Sequence, residues 1–295
     1  GGFVRDLLMN KNNLDLDVVV EGDGVGFAEA FARQNDCRVR CHHKFGTAVL
    51  IFPDDFKIDV ASARMEYYLR PGALPDVEHA SVKMDLSRRD FTINALFYDP
   101  VADQLIDYAH GMKDIEARML RMIGDPVARY REDPVRIIRA VRFAAKLSPL
   151  GFKLESKTAK PLTHSATLLA DVPQSRLFDE MLKLLQTGHS IASIEQLKKL
   201  GLARGIYPLL DVVVERADTP FVQAALQDTD RRVGEGKPVA PSFLLACVLW
   251  ADVKLGWDQR VANRVPPFPA LQEAIDEVFD ARIGDVSGRG KLAAD

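Results

Sequence analysis

Gly1-Gly2-Phe3-Val4-Arg5-Asp6, followed by Leu14-Asp15-Leu16-Asp17-Val18-Val19-Val20, is the stretch whose reading decides this chain. Paired glycines suit a turn whose backbone N–H groups cradle phosphate. Side chains alternate across a strand, so Asp15 and Asp17 point to one side while Leu14, Leu16 and Val18 point to the other. Mg²⁺ keeps most of its waters and takes one or two carboxylates plus substrate phosphates, which such a pair suits. Either pattern alone is common in turns and on surfaces. In combination they point to metal-assisted chemistry on a nucleoside triphosphate.

At 295 residues and 47% hydrophobic, the chain has the material for two or more domains. No apolar run approaches the ~20 residues of a membrane span, and the first residues lack a signal-peptide pattern, so a cytoplasmic protein without membrane contact is expected. Cys37, Cys41 and Cys247 are too few for a disulfide framework. Cys37-x3-Cys41-His42-His43 lies between strand-like runs in which neighbouring side chains diverge, and these residues are assigned no metal. The net charge of −3 conceals a basic segment: from Arg118 to Lys160 there are eleven Lys and Arg against four Asp and Glu. Arg136, Arg139 and Arg142 recur every third residue there, a pattern that attracts phosphate backbones.

The first hundred residues alternate strands with a helix: Asp15 to Val20, a helix from Val25 to Gln34, then strands over Arg38 to His42, Thr47 to Phe52 and Lys57 to Ala61. One more strand, Gln104 to Asp107, is expected to close this α/β domain, with only helices from Met112 onward. The spacing predicts helices over Pro134 to Leu147, Ser175 to Gln186, Ile191 to Leu200, Pro220 to Leu226 and Pro241 to Trp250. Met65 to Met84 carries few regular signals and reads as a loop, and Gly284 to Asp295 as a frayed tail. No strand precedes Gly1-Gly2, so the first strand of the domain is expected to be missing.

Three further groups carry chemistry. Asp59, in Phe56-Lys57-Ile58-Asp59-Val60-Ala61, is a carboxylate in an apolar strand: either a buried charge, which needs a partner or a metal, or a strand-end Asp in water. Ser87-Arg88-Arg89-Asp90-Phe91-Thr92-Ile93-Asn94-Ala95 offers an Arg pair for phosphate; on a helix capped by Ser87 or Asp90, Asp90 and Asn94 would sit one turn apart, suited to ribose hydroxyls. Arg131-Glu132-Asp133-Pro134-Val135-Arg136-Ile137-Ile138-Arg139-Ala140-Val141-Arg142-Phe143 reads as a helix opened by Pro134, with Asp133 and Arg136 opposite Ile138, Val141 and Ala145. A carboxylate beside a guanidinium supplies acceptor and donor for a nucleobase edge. Arg142 falls at the apolar boundary and is the geometric outlier, a candidate bridge to a neighbouring domain.

These clusters, in this order, resemble the class II branch of the nucleotidyltransferase superfamily, the group of bacterial poly(A) polymerases and tRNA CCA-adding enzymes. The resemblance implies an α/β, polymerase-β-like head over residues 1–110, a helical neck over 111–165 that binds nucleotide and RNA, and a helical RNA-binding body over 166–295. It makes Asp15 and Asp17 ligands of two Mg²⁺ ions, with Asp59 as candidate third catalytic carboxylate. Gly2 and Arg5 would lie near the triphosphate and Arg89 on the nucleotide, Asp90 and Asn94 would select ribose, Asp133 and Arg136 would face the base, and Arg139 and Arg142 would support the pocket. The head segment from Glu21 to Asp85 is similar to the CCA- and A-adding enzymes, whereas Tyr130 to Leu147, Arg176 to Gly188 and Asp228-Thr229-Asp230-Arg231-Arg232 look like bacterial poly(A) polymerase. Weighting the longer similarity, the expectation is AMP transfer from ATP to the 3′ ends of mRNA or small RNA. The alternative is addition of CCA, or of A, to tRNA, and a third reading is an RNA-binding homologue without catalysis.

Overall fold

Asp17 and Asp59 are register partners on a parallel strand pair, and strand alternation decides which face they share. The computed structural model describes residues 1–70, 73 and 75–282. The tail read over Gly284 to Asp295, and Pro71, Gly72 and Leu74, lie outside the described residues.

Helix α1 (Gly2–Leu8) leads to β1 (Leu16–Val20), α2 (Gly24–Gln34), β2 (Arg38–His42), β3 (Thr47–Ile51) and β4 (Lys57–Ser62). The four strands form one sheet in the order β1-β4-β3-β2, with β1 parallel to β4 and the other pairs antiparallel. Val18, Val20, Ala48, Leu50, Ile58 and Val60 cluster with Ala28 of α2 on one face. Asp17 and Asp59, at alternate positions, are thereby turned to the other.

Helix α2 starts hard against the end of β4. A Cβ on Gly24 would stand 2.8 Å from the Ser62 nitrogen and 2.9 Å from the Ala61 carbonyl carbon, and the Gly24 N–H donates to Ser62 Oγ at 2.9 Å. Gly24→Ala is therefore expected to cost about 1–3 kcal/mol, read as a lower denaturant midpoint at unchanged slope. An unaltered midpoint would mean that the helix start has room to spare.

The structure corrects several expectations in this first region. Among the described residues, the 65–84 segment holds regular structure: β5 (Arg64–Tyr67) pairs antiparallel with β6 (Asp76–His79), and α3 (Val82–Ser87) follows, capped by Ser81 Oγ on the Met84 N–H. Nor is Ser87 to Ala95 a helix, since α3 ends at Ser87 and Phe91 is extended, with φ −116° and ψ 145°. Phe91 is fully buried and bridges to Met122, so a tertiary contact overrides local helix preference. A single 3₁₀ turn, Thr92–Asn94, succeeds it. The strand expected over Gln104 to Asp107 is present as β8 (Gln104–Ile106), which pairs with β7 (Phe97–Asp99) as a hairpin separate from the four-stranded sheet.

Then come α4 (Gly111–Glu116), β9 (Met119–Leu120), α5 (Pro126–Glu132), α6 (Val135–Leu147) and β10 (Lys153–Leu154). Strands β9 and β10 pair in parallel, so the region expected to be all-α contains strand pairing. The remainder is helical: α7 (Ser156–Ala159), α8 (Leu162–Ser165), α9 (Gln174–Leu185), α10 (Ser190–Lys199), α11 (Pro208–Arg216), α12 (Pro220–Gly234), α13 (Pro241–Ala262) and α14 (Pro267–Arg282).

The chain divides into two compact units, residues 1–132 with 152–158, and residues 133–151 with the chain from 159 onward. In the second unit, α6, which buries Ile137, Ile138, Ala140, Val141 and Ala145, packs on α9 and α10, and α12, α13 and α14 pack in succession. Pro134 is the N-cap of α6 rather than its first residue. Asp230 accepts from the Ser190 N–H at 2.7 Å, so the Asp228–Arg232 motif serves to cap α10. No helix among the described residues is long and apolar enough to cross a membrane.

Candidate active site

Ligand oxygens of Asp15, Asp17 and Asp59 lie within 4.8 Å of one another. All three residues are exposed, so of the two readings of Asp59 the water-facing one holds, and its convergence with Asp15 and Asp17 comes from the β1–β4 register. Asp15 stands just before β1, and its N–H donates to Asn13 Oδ1 at 2.8 Å. Partial desolvation, then the charge of Asp15, with a smaller push from Asp59, hold the Asp17 carboxyl above the usual range, against the pull of Arg89. Desolvation and Asp15 likewise raise Asp59. Three hard oxygen donors that repel one another fit a divalent cation of the Mg²⁺ type.

The repulsion has a sign that can be measured. A carboxyl whose folded pKa is raised keeps its proton to higher pH in the native state, so it favours folding below the ordinary value of about 4 and opposes it once pH rises through the folded value. Asp17→Asn is thus expected to raise the melting temperature at neutral pH without Mg²⁺, and the gain should vanish below pH 4 or so. An equal gain at both pH values would mean that charge repulsion is not its source.

Arg89 is part-buried; its Nε and Nη2 donate to Asp85 at 3.2 and 3.1 Å, its Nη1 donates to the Asn94 carbonyl at 3.3 Å, and its guanidinium lies 4.5 Å from the Phe97 ring centroid. Asp85, only 1% exposed, also receives Arg88 Nη2 at 2.6 Å. Asp85 had no place in the sequence reading, although its i+3 and i+4 spacing to Arg88 and Arg89 was a usable signal. Glu66 was also missed: burial acts to raise its carboxyl, yet Arg88 and Arg64, with the Tyr68 hydroxyl, hold it below the usual range. Arg129 ties this group to α5, its Nη2 donating to the carbonyls of Arg88 and Arg89.

Arg5 is 2% exposed, with Nε on Asp6 Oδ1 at 2.7 Å and Nη1 on Asn94 Oδ1 at 2.6 Å. Asn94 Nδ2 in turn donates to Asp90 Oδ1 at 3.3 Å, so these two residues do meet, through the 3₁₀ turn instead of a helix. Gly2 opens α1, with Gly1 as its N-cap.

In the second unit Asp133 and Arg136 are both buried. Arg176 of α9 donates to Asp133 Oδ2 at 3.1 Å, whereas Oδ1 is buried with no hydrogen-bond partner among the described residues. Arg139 and Arg142 flank Glu180 of α9 at 3.7 and 3.4 Å. Arg142 thus reaches from the expected neck, 111–165, to Glu180 in the expected body, 166–295, and both residues belong to the second compact unit.

Comparison with known proteins adds the family. Residues 1–121 match the poly A polymerase head domain, and residues 151–213 match the "Probable RNA and SrmB- binding site of polymerase A". The chain is 44% identical over 213 residues to an A-adding tRNA nucleotidyltransferase of Geobacter sulfurreducens, covering 70% of this chain and 24% of that enzyme. It is 37% identical over 268 residues to poly(A) polymerase I of Haemophilus influenzae, covering 86% of this chain and 58% of that one. The chain thus spans less than two thirds of the length of either relative. Among solved structures it is similar to a tRNA nucleotidyltransferase complexed with a primer tRNA and an incoming ATP analog, with a TM-score of 0.63, 26% identity, and 100% and 92% of the two chains covered. Matched through head and RNA-binding segments alike, the chain belongs to the class II nucleotidyltransferase superfamily of bacterial poly(A) polymerases and tRNA A- and CCA-adding enzymes.

Proposed function

We propose that this chain transfers AMP from ATP to RNA 3′ ends without a template, and that the convergence of Asp15, Asp17 and Asp59 carries this reading. Asp15 and Asp17 would hold Mg²⁺, two ions when the site is loaded, and Asp59 is the neighbouring carboxylate able to accept the proton of the attacking hydroxyl. Bound there, divalent cations supply positive charge to the triphosphate and lower the pKa of the 3′ hydroxyl. Arg89, braced by Asp85, offers its guanidinium to the nucleotide, and Gly2 lies at the start of the helix that carries Arg5. Asp90 and Asn94 are proposed to contact the ribose, with Arg5 fixing the Asn94 amide.

Asp133 and Arg136 are proposed to read the base. A carboxylate accepts from an exocyclic amino group and a guanidinium donates to the adjacent ring nitrogen, which fits the pairing edge of adenine or cytosine and opposes that of guanine or uracil. The partnerless Asp133 Oδ1 is an acceptor of this kind. Arg139 and Arg142, held by Glu180, are proposed to support the nucleotide pocket. In functional terms residues 1–110 are the catalytic head, 111–165 the nucleotide- and RNA-binding neck and 166–295 the RNA-binding body, in a cytoplasmic protein.

AMP tailing is preferred because likeness to the Haemophilus influenzae poly(A) polymerase extends over 86% of the chain, against 70% for the Geobacter sulfurreducens A-adding enzyme. The higher identity of the latter, 44%, favours the second reading, completion of tRNA ends. Extension of a generic single-stranded RNA and of a tRNA lacking its CCA end, with each nucleoside triphosphate in turn, separates them. Long ATP-dependent tails on the generic RNA are expected. Addition that halts after one to three nucleotides on tRNA alone would reverse the assignment.

A further inference from the structure

Away from the three aspartates, the edge of the sheet gathers a second set of ionisable side chains with different chemistry. Glu29 projects from α2, Cys41 from β2, and His43 from the 3₁₀ turn His43–Phe45 that follows β2. Their ligand atoms lie within 4.8 Å of one another. Cys41 Sγ donates to Glu29 Oε1 at 3.7 Å. His43 lies just past the end of β2, and the 3₁₀ turn brings its imidazole to the side of Cys41. The third group comes from a helix twelve residues earlier in sequence, brought there because α2 packs across β2 and β3. The sequence reading, confined to Cys37, Cys41, His42 and His43, had no means of including Glu29.

We infer that Glu29, Cys41 and His43 form a binding site for a zinc-class divalent cation, which clips α2 to the edge strand β2. The donor set argues for that class. Thiolate sulfur is a poor ligand for Mg²⁺ or Ca²⁺, whereas one sulfur, one imidazole nitrogen and one carboxylate oxygen suit a borderline-soft ion that takes three protein ligands and a water. Bonds of about 2.0–2.3 Å in a tetrahedron set ligand atoms roughly 3.3–3.8 Å apart, so the observed limit of 4.8 Å closes by small side-chain rotations. His43 is exposed and Glu29 and Cys41 are part-buried, which leaves the site open to an ion from solvent. A cysteine ligates as the thiolate, so binding releases the thiol proton. The all-oxygen aspartate cluster prefers hard ions, which keeps the two sites chemically separable.

The test uses the whole chain in excess Mg²⁺. Zn²⁺ is titrated by calorimetry in two buffers of different ionisation enthalpy, Co²⁺ by absorbance, and melting temperature is followed with and without Zn²⁺. The expected result is one bound ion with proton release, a thiolate-to-Co²⁺ charge-transfer band and a Zn²⁺-dependent rise in melting temperature. Cys41→Ser and His43→Ala should each remove the band and the rise. Glu29→Gln should weaken binding at least about tenfold, while Cys37→Ser and Cys247→Ser leave all three signals intact. His43→Ala alters an exposed residue, so its outcome does not hinge on folding. Absence of a thiolate band, or a band that survives both Cys41→Ser and His43→Ala, overturns the site.

Discussion

Asp15→Ala/Asp17→Ala is expected to reduce AMP incorporation by roughly 10³–10⁴-fold in kcat, about 4–5.5 kcal/mol of lost transition-state stabilisation. The cause is specific to this site. Both residues belong to the oxygen cluster that also holds Asp59, and the Asp17 and Asp59 carboxyls are already held high by desolvation and then the charge of Asp15. Removing two of three like charges takes away the place for a divalent cation while relieving repulsion, so the variant should fold and melt no lower than the wild type. RNA binding, proposed to draw on the basic segment between Arg118 and Lys160, should survive. Single-turnover incorporation of labelled ATP, with a thermal melt as control, makes the comparison. A loss of less than tenfold would mean that these carboxylates do not hold the catalytic metal.

Arg5→Ala is expected to destabilise the chain by about 3–5 kcal/mol, because it leaves the carboxylate of Asp6 buried without its partner. The guanidinium sits in a relay: Asn94 Oδ1 and Asp6 Oδ1 accept from Arg5, Asn13 Nδ2 donates to Asp6 Oδ2 at 2.7 Å, and Asn13 Oδ1 holds the Asp15 N–H. One side chain therefore ties the 3₁₀ turn bearing Asn94 to the backbone that aims Asp15. Activity should fall together with stability, and Arg5→Lys should recover only part of each, since an ammonium cannot reproduce the two-pronged donation. Denaturant titration beside steady-state kinetics reads both. Unchanged stability with a selective rise in the ATP KM would place Arg5 on the triphosphate instead.

Residue patterns revealed the local parts of this site but not the contacts that complete it. Strand β2 over Arg38–His42 is where alternation predicts it, because each strand face meets a different environment. The meeting of Asp59 with Asp15 and Asp17 depends on which strands pair, and nothing local encodes that β4 lies beside β1. Asp85 carried no local signal of its own; its role follows from two arginines, one and two residues after the helix ends. Helices α12 and α13 continue beyond Leu226 and Trp250 because surface turns need no apolar repeat once the buried half is docked. Helix α11 escaped notice since Leu209-Leu210-Asp211-Val212-Val213-Val214, rich in β-branched residues, has strand-like propensity that burial overrides.

The most direct test of the central claim is transfer of label from α-³²P-ATP to an RNA with a 3′ hydroxyl, beside the same RNA with a 3′ deoxy end, with and without Mg²⁺. The account predicts label on the 3′-hydroxyl RNA, dependent on Mg²⁺, and none on the 3′-deoxy RNA. RNA that is bound but never labelled, or labelling that proceeds without a divalent cation or a 3′ hydroxyl, would contradict it.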